Sequence, residues 1–303
     1  MIWGVALNVR DTISKTIEKA IVADKRGIDQ VWITDFPALR YAPTVAAAIA
    51  ENTNNCRIGV GLVSPLLYSS FHIVQFMTTL IESHGDRFDL LLGPGDRFAL
   101  ERIGISHTPK SIVKKTEIAL EEVRNRLIDS GHDCSVFLGA QGPKMIEISL
   151  NADGILLNYS DLEMARWAAD QVRERIPNDF RLGLFPPAFI GSCEKFKDNI
   201  AISYSAAMVA IGLGRSVADR FSLSSSLKKA RNLLKERGEI DNDVVATIED
   251  SVLKRFAFCG TQSQLREYVK ELEEIGFENI VFGPPIGLSK KGVESLADTK
   301  KKF

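Results

Sequence analysis

Four glycine-bearing segments of the chain set backbone amides, and in places a polar side chain, where a ligand could be held. Gly93-Pro94-Gly95-Asp96 ends in a carboxylate able to accept or relay a proton. A tight turn whose aspartate caps a helix accounts for the same residues. Gly139-Ala140-Gln141-Gly142-Pro143 has the makings of a helix start. Free amides and the helix dipole there favour a phosphate, and a plain helix start explains the segment equally well. Gly283-Pro284-Pro285-Ile286-Gly287 is a rigid glycine–proline loop. Gly59-Val60-Gly61-Leu62-Val63-Ser64 offers two glycines of a dinucleotide fingerprint, but Ser64 and Pro65 stand where the third glycine and the opening helix belong. That disfavours a Rossmann reading. Singly, each segment is a weak signal.

The other reactive residue types contribute less. His84 and His132 fall just before predicted strands, and His72 falls in the first turn of a predicted helix. His107 alone lies in a strand-to-helix loop, where a surface role is the simpler reading. No His-Glu-x-x-His or comparable spacing exists, so a metal site is not expected. Cys56, Cys134, Cys193 and Cys259 are far apart, which suits free thiols in a reducing cytoplasm and argues against a disulfide framework. Asn158-Tyr159-Ser160 is a glycosylation sequon that a cytoplasmic protein would not use, and Lys300-Lys301-Lys302 reads as a solvated tail.

The elements that must position these segments alternate. Short β-branched runs at Ile2–Leu7, Val31–Ile33, Arg57–Gly61, Phe88–Leu92, Ser135–Leu138, Gly154–Leu157, Arg181–Phe185 and Ile280–Phe282 are interleaved with helical periodicity. The spacing predicts helices over 12–25, 44–51, 71–82, 110–128, 144–150, 162–175, 262–275 and from 290 onward. From Glu194 to about Arg255 the pattern is helical throughout, with turns at 222–226 and 238–241. Such alternation implies parallel strands with right-handed crossovers. Eight units fit a closed (β/α)8 barrel over residues 1–303 with a helical insertion of about 194–255 after strand seven; an open doubly wound sheet with a helical cap is the rival. In a barrel, function gathers at the C-terminal strand ends. That rule selects 8–11, 34–41, 61–70, 93–107, 139–143, 158–161, 185–191 and 283–289, the loops that hold much of the glycine and proline.

Composition narrows the class. The chain has 303 residues, 45% hydrophobic and 25% charged, with 38 Lys plus Arg against 39 Asp plus Glu, for a formal net charge of -1. Neither a nucleic acid nor a lipid surface is implied. The start lacks a signal-peptide pattern, and the apolar stretch Ile200–Leu213 is too short to span a bilayer. It reads as a buried helix in a cytoplasmic protein.

Several segments together resemble the luciferase-like superfamily of flavin and deazaflavin enzymes. Val31-Trp32-Ile33-Thr34-Asp35, Arg57-Ile58-Gly59-Val60-Gly61 with Ser64-Pro65, Gly85-Asp86-Arg87 with Leu92-Gly93-Pro94-Gly95-Asp96, and Leu138-Gly139-Ala140-Gln141-Gly142-Pro143-Lys144-Met145 carry it. So do Ala152-Asp153-Gly154, Leu157-Asn158, Gly260-Thr261 and Gly283 to Gly287. The last of these and the Ala-Gln-Gly-Pro motif are similar to the methylenetetrahydromethanopterin reductases. The likeness covers nearly the whole chain and fades over 199–254.

It implies a homodimer or homotetramer, coenzyme F-420 (alternatively FMN) at the strand ends, and hydride transfer to a pterin-like or other small acceptor. By the same resemblance Asp96 is the acidic residue near the reacting centre, and Thr34 and Asp35 face the ring. Gly61, Leu62, Val63 and Ser64 form a bulge with a non-prolyl cis bond, while Gly139, Gln141, Gly142 and Asn158 meet the cofactor tail and substrate region. Three departures stand out: Ala6 in place of a first-strand glutamate, Phe36 to Tyr41 in place of a His and a later Arg-Asp, and Ser64 followed by an apolar Leu66-Leu67-Tyr68 loop in place of Asn and polar residues. They leave open a paralogue with another substrate, or one that binds without turnover.

Overall fold

The computed structural model describes residues 1–7, 10–37, 39–106, 108–194 and 196–303. Its strands are β1 (Ile2–Leu7), β2 (Gln30–Ile33), β3 (Arg57–Val63), β4 (Phe88–Leu92), β5 (Ser135–Ala140), β6 (Gly154–Leu157), β7 (Arg181–Leu184), β8 (Ala188–Ile190), β9 (Phe258–Gly260) and β10 (Asn279–Phe282). Eight of them close a parallel barrel in the order β1-β10-β7-β6-β5-β4-β3-β2. The closed barrel is therefore the right reading and the open sheet is not. All the strands being parallel, every loop that leaves a C-terminal strand end meets at one rim.

Residue alternation explains the two cores. Odd-numbered Val5, Val31 and Ile33 and even-numbered Ile58, Val60, Leu90, Leu92, Val136 and Leu138 pack outward against the helices. Ala6, Trp32, Leu91, Phe137, Leu156 and Val281 point into the lumen as a separate apolar cluster. Trp32 is too large to share the lumen with other full side chains, and glycine makes the room. A Cβ at Gly59 would stand 2.0–2.4 Å from the Trp32 ring carbons, and one at Gly4 3.3 Å from Cδ1.

Caps and polar clamps fix the surrounding helices. Buried Lys19 donates to Asp11 (2.6 Å) and to the carbonyls of Gly287 (3.0 Å) and Leu288 (3.4 Å), tying the first helix, Ile13–Lys25, to the loop after β10. Asp24, near the end of the same helix, accepts backbone N–H groups of Asn54 (3.2 Å), Asn55 (2.8 Å) and Cys56 (2.7 Å) just before β3. Burial alone would raise its pKa, but these backbone donors outweigh it and hold the carboxyl below the usual range.

Asp24→Ala therefore strands these donors, and is expected to cost about 3 kcal/mol in denaturant unfolding at neutral pH. The depressed group stabilises the fold above its unfolded titration range and loses that contribution as pH falls through its folded one. The gap between wild type and variant should accordingly shrink in acid.

Two features depart from expectation. Strands β8 and β9 pair in parallel, with Phe189 opposite Cys259, and this brings the two ends of the helical segment together. Cys193 and Cys259 are disulfide-bonded there, with a Cα–Cα distance of 6.0 Å across 66 residues of sequence. The expectation of free thiols fails for this pair because a three-strand-residue pairing is invisible to hydrophobic periodicity, and the cysteines no longer argue for a reducing compartment. Cys56 and Cys134 are free. The C-terminal lysines are likewise more than a solvated tail, since Lys300 donates to the Gly27 carbonyl and pairs with Asp29.

Between β8 and β9 the chain runs through the helices Ile200–Gly212, Arg215–Arg220, Ser224–Arg237, Asn242–Ala246 and Asp250–Leu253. Among the described residues no helix is long and apolar enough to cross a membrane.

Candidate active site

Directly above the luminal cluster, the two-residue alternation brings Thr34, Gly93, Gly139, Asn158 and Phe185 to the C-terminal rim. They follow Trp32, Leu91, Phe137, Leu156 and Gly183 in their strands. Leu62 joins them by a different route. Gly61 pairs with Leu91 and Val63 with Leu92, so Leu62 is the unpaired residue of a bulge. The Gly61–Leu62 peptide bond is cis.

Gly61 has φ +151°, and a Cβ there would stand 2.5 Å from the Leu91 carbonyl oxygen, so the bulge requires glycine. The Leu62 side chain then lies over the lumen: Cβ atoms added at Gly93 and Gly139 would come within 2.4 and 2.7 Å of its Cδ1. Leu62 and Phe185 pack on the luminal cluster while staying half-buried. The rim thus has a half-exposed apolar floor of Leu62 and Phe185, bordered by two glycines.

The polar groups around this floor differ in how fully they are used. Asn158 Oδ1 is buried and accepts no hydrogen bond from the described residues, an acceptor left for a donor from above. Ser64 is spent: its Oγ donates to the Pro94 carbonyl (2.9 Å) and accepts from Leu66 N–H (3.2 Å), which stitches the loops after β3 and β4. Asp96 caps the helix Arg97–Arg102, accepting the Ala99 N–H at 2.7 Å, so its capping role is real. Burial raises its pKa, as does nearby Glu101, against the lowering by the Ala99 and Phe98 amides.

Asp35 accepts the Ala42 N–H (3.4 Å), and the Tyr68 phenol stands near it. Burial raises the pKa of Asp35 too, with Ala42 and Tyr68 opposing. Tyr41 stands beside the pair, its ring 6.0 Å from that of Tyr68.

The sequence-expected residues divide accordingly. Thr34, Gly61, Leu62, Gly139, Asn158 and Asp96 gather at one rim. Val63 points away, into the core between sheet and helices. Gln141 and Gly142 sit at the rim's edge toward the helical segment, Gln141 donating to the Val209 carbonyl (3.4 Å) and Gly142 lying against Val217. Asn8 and His107, singled out in two of the rim loops, lie outside the described residues.

Sequence reasoning overlooked Phe185 and the Tyr41–Tyr68–Asp35 cluster. Counting alternate residues past the end of β7 finds Phe185, whereas the cluster depends on how two loops meet.

Two concavities lie away from this floor: one of about 540 Å³ beside the Cys193–Cys259 disulfide, Phe258 and Tyr268, and one of about 560 Å³ at the opposite end, near Arg124 and Asp153. Neither is bordered by the rim residues named above. The rim residues, by contrast, converge on one small surface from six different strands.

Comparison with known proteins decides the family. The family model described as luciferase-like monooxygenase matches residues 4–111 and 119–279. The chain belongs to that family. A 5,10-methylenetetrahydromethanopterin reductase of Methanolobus tindarius is 26% identical over 320 residues, covering 96% of each chain. Among solved structures, the coenzyme F420-dependent tetrahydromethanopterin reductase of Methanopyrus kandleri superposes with a TM-score of 0.79 at 18% identity, covering 98% of this chain and 97% of that one.

An F420-dependent secondary alcohol dehydrogenase carrying an F420–acetone adduct gives 0.74 at 15% identity, over 99% and 98%. The FMN-bound oxygenating constituent of 3,6-diketocamphane monooxygenase from Pseudomonas putida gives 0.62 at 15%, over 98% and 96%. The luciferase-like fold therefore hosts both deazaflavin and flavin enzymes close to this chain in shape, and its relatives by sequence are oxidoreductases.

Proposed function

We propose that this chain is a deazaflavin-dependent oxidoreductase that transfers hydride between coenzyme F-420 and a pterin-like or other small acceptor. The observation that carries this reading is the floor made by Leu62 between Gly93 and Gly139, beside the unpartnered Asn158 Oδ1. An apolar bed fits a fused ring, and an orphaned buried acceptor fits a ring N–H; side chains at 93 and 139 would displace Leu62 from that bed. Thr34, Leu62, Gly139 and Asn158 would hold the ring, while Gln141 and Gly142 are placed for its tail. When bound, the deazaflavin supplies two electrons as hydride, and the protein supplies orientation and charge.

Asp96, fixed at its helix start by two amides, would present carboxylate charge at the edge of the floor. FMN is the alternative ring. A second reading, binding without turnover, is favoured by Ala6, which lies fully buried in the luminal cluster, so that the first strand presents no carboxylate beneath the floor.

The test is a titration of the protein with coenzyme F-420 and, separately, FMN, followed by mixing of the reduced complex with methylenetetrahydromethanopterin or a small ketone. Saturable deazaflavin binding with oxidation of the reduced ring by an acceptor is the expected result. Preference for FMN moves the reading to a flavin enzyme, and binding with no oxidation by any acceptor leaves the binding-only reading.

A further inference from the structure

The concavity of about 540 Å³ at the base of the helical segment has the Cys193–Cys259 disulfide in its wall. Both cysteines are half-buried, so a small molecule in that space can reach the bond. Asp161, Glu163 and Lys254 border the same space, which therefore carries charge of both signs. Arg255 takes both oxygens of Asp161 (2.9 Å each) but only one of Glu163 (2.7 Å). Glu163 and Lys254 are exposed, the one able to meet an ammonium and the other a carboxylate.

The two cysteines differ in setting. Cys259 is the middle residue of β9, held opposite Phe189. Cys193 lies in the irregular stretch between β8 and the turn Phe196–Asp198, outside any ladder. The pairing that the disulfide staples is short. It is flanked by the Phe258 N–H donating to the Pro187 carbonyl (2.9 Å) and the Gly191 N–H donating to that of Gly260 (2.9 Å). Strand β8 opens three residues after Phe185, so whatever steadies β8 also steadies one end of the floor.

We propose that Cys193–Cys259 is a thiol–disulfide exchange site, fed from this cavity by a small thiol that carries an amine and a carboxylate. The incoming thiolate attacks Cys193 Sγ and forms a new S–S bond there. The Cys193–Cys259 bond breaks, and its electron pair leaves on Cys259 Sγ, which takes a proton from solvent. One disulfide replaces another, so no outside oxidant or reductant is consumed. Lys254 meets the carboxylate of the thiol and Glu163 its amine. Exchange removes the covalent link across 66 residues of sequence and leaves two three-residue strands to hold together unaided. None of this depends on hydride transfer.

The test needs no deazaflavin. Aerobically purified protein, alkylated in denaturant, should carry two modified cysteines, Cys56 and Cys134. Four modified cysteines overturn the proposal. In a buffer of cysteine and cystine, intact mass should rise by one cysteine, and peptide mapping should place it on Cys193. An adduct elsewhere, or none, overturns it. Lys254→Ala should slow exchange with cysteine about threefold and leave exchange with uncharged mercaptoethanol unchanged. A variant as fast as wild type with cysteine overturns the assigned thiol class. Hydrogen exchange at the Gly191 and Phe258 amides should quicken about tenfold in the adduct, and equally in Cys193→Ser. Wild-type protection in Cys193→Ser overturns the disulfide's hold on β8.

Discussion

Trp32→Ala should lower the stability of the barrel by about 3–5 kcal/mol, the range for emptying a large buried aromatic. Trp32 is fully buried, edge-on to Phe137 (6.1 Å) and Phe185 (6.2 Å), and its indole N–H donates to Gln30 Oε1 at 3.1 Å. Gln30 in turn donates to Asp89 (3.3 Å), which Arg57 grips through two nitrogens. Truncation opens a void in the middle of the lumen and strands the Gln30 oxygen in it, two penalties that add. It also removes the support beneath Leu62 and Phe185, so ligand affinity should fall with stability.

Gly59→Ala attacks the same packing from the other side, because its Cβ meets rigid ring carbons hemmed in on all faces. About 1–3 kcal/mol is expected there. Guanidinium unfolding of both variants checks the pair. A Trp32→Ala loss under 1 kcal/mol would mean that the lumen collapses freely, and that the floor above it is not rigidly held.

The sequence reveals the barrel far more readily than the site, and the reason is physical. Each strand buries both faces, so it appears as a short β-branched run whose limits follow from composition alone; all eight barrel strands fall where those runs stand. Helix ends were legible where a side chain caps them, as at Asp96 or at Thr261 before Gln262–Ile275. Alternation within a strand also fixes which residues meet in the lumen, and from there which ones crown it.

Contacts between loops are set by no such period. Ser64 reaching the Pro94 carbonyl, Tyr68 reaching Asp35, and Cys193 reaching Cys259 each depend on chain paths that diverge for many residues before meeting. The aspartate in Gly93-Pro94-Gly95-Asp96 shows the limit most clearly. Its capping and its chemistry call for the same residue type at the same place, and the Ala99 amide bond establishes the first.

A pair of substitutions separates those roles. Asparagine caps a helix about as well as aspartate, while alanine does not, so Asp96→Asn should keep the Arg97–Arg102 helix start and Asp96→Ala should lose about 1 kcal/mol of stability. If the negative charge at the floor's edge takes part in the reaction, both variants should slow single-turnover oxidation of the reduced deazaflavin by about 100-fold or more. A neutral amide in place of the carboxylate cannot offset the positive charge that develops on the ring as hydride leaves it.

The two amides that Asp96 accepts favour its ionised form against its burial. Stopped-flow absorbance of the deazaflavin, read beside thermal unfolding of the same samples, distinguishes the cases. Asp96→Asn with wild-type rates and wild-type stability would reduce Asp96 to a cap.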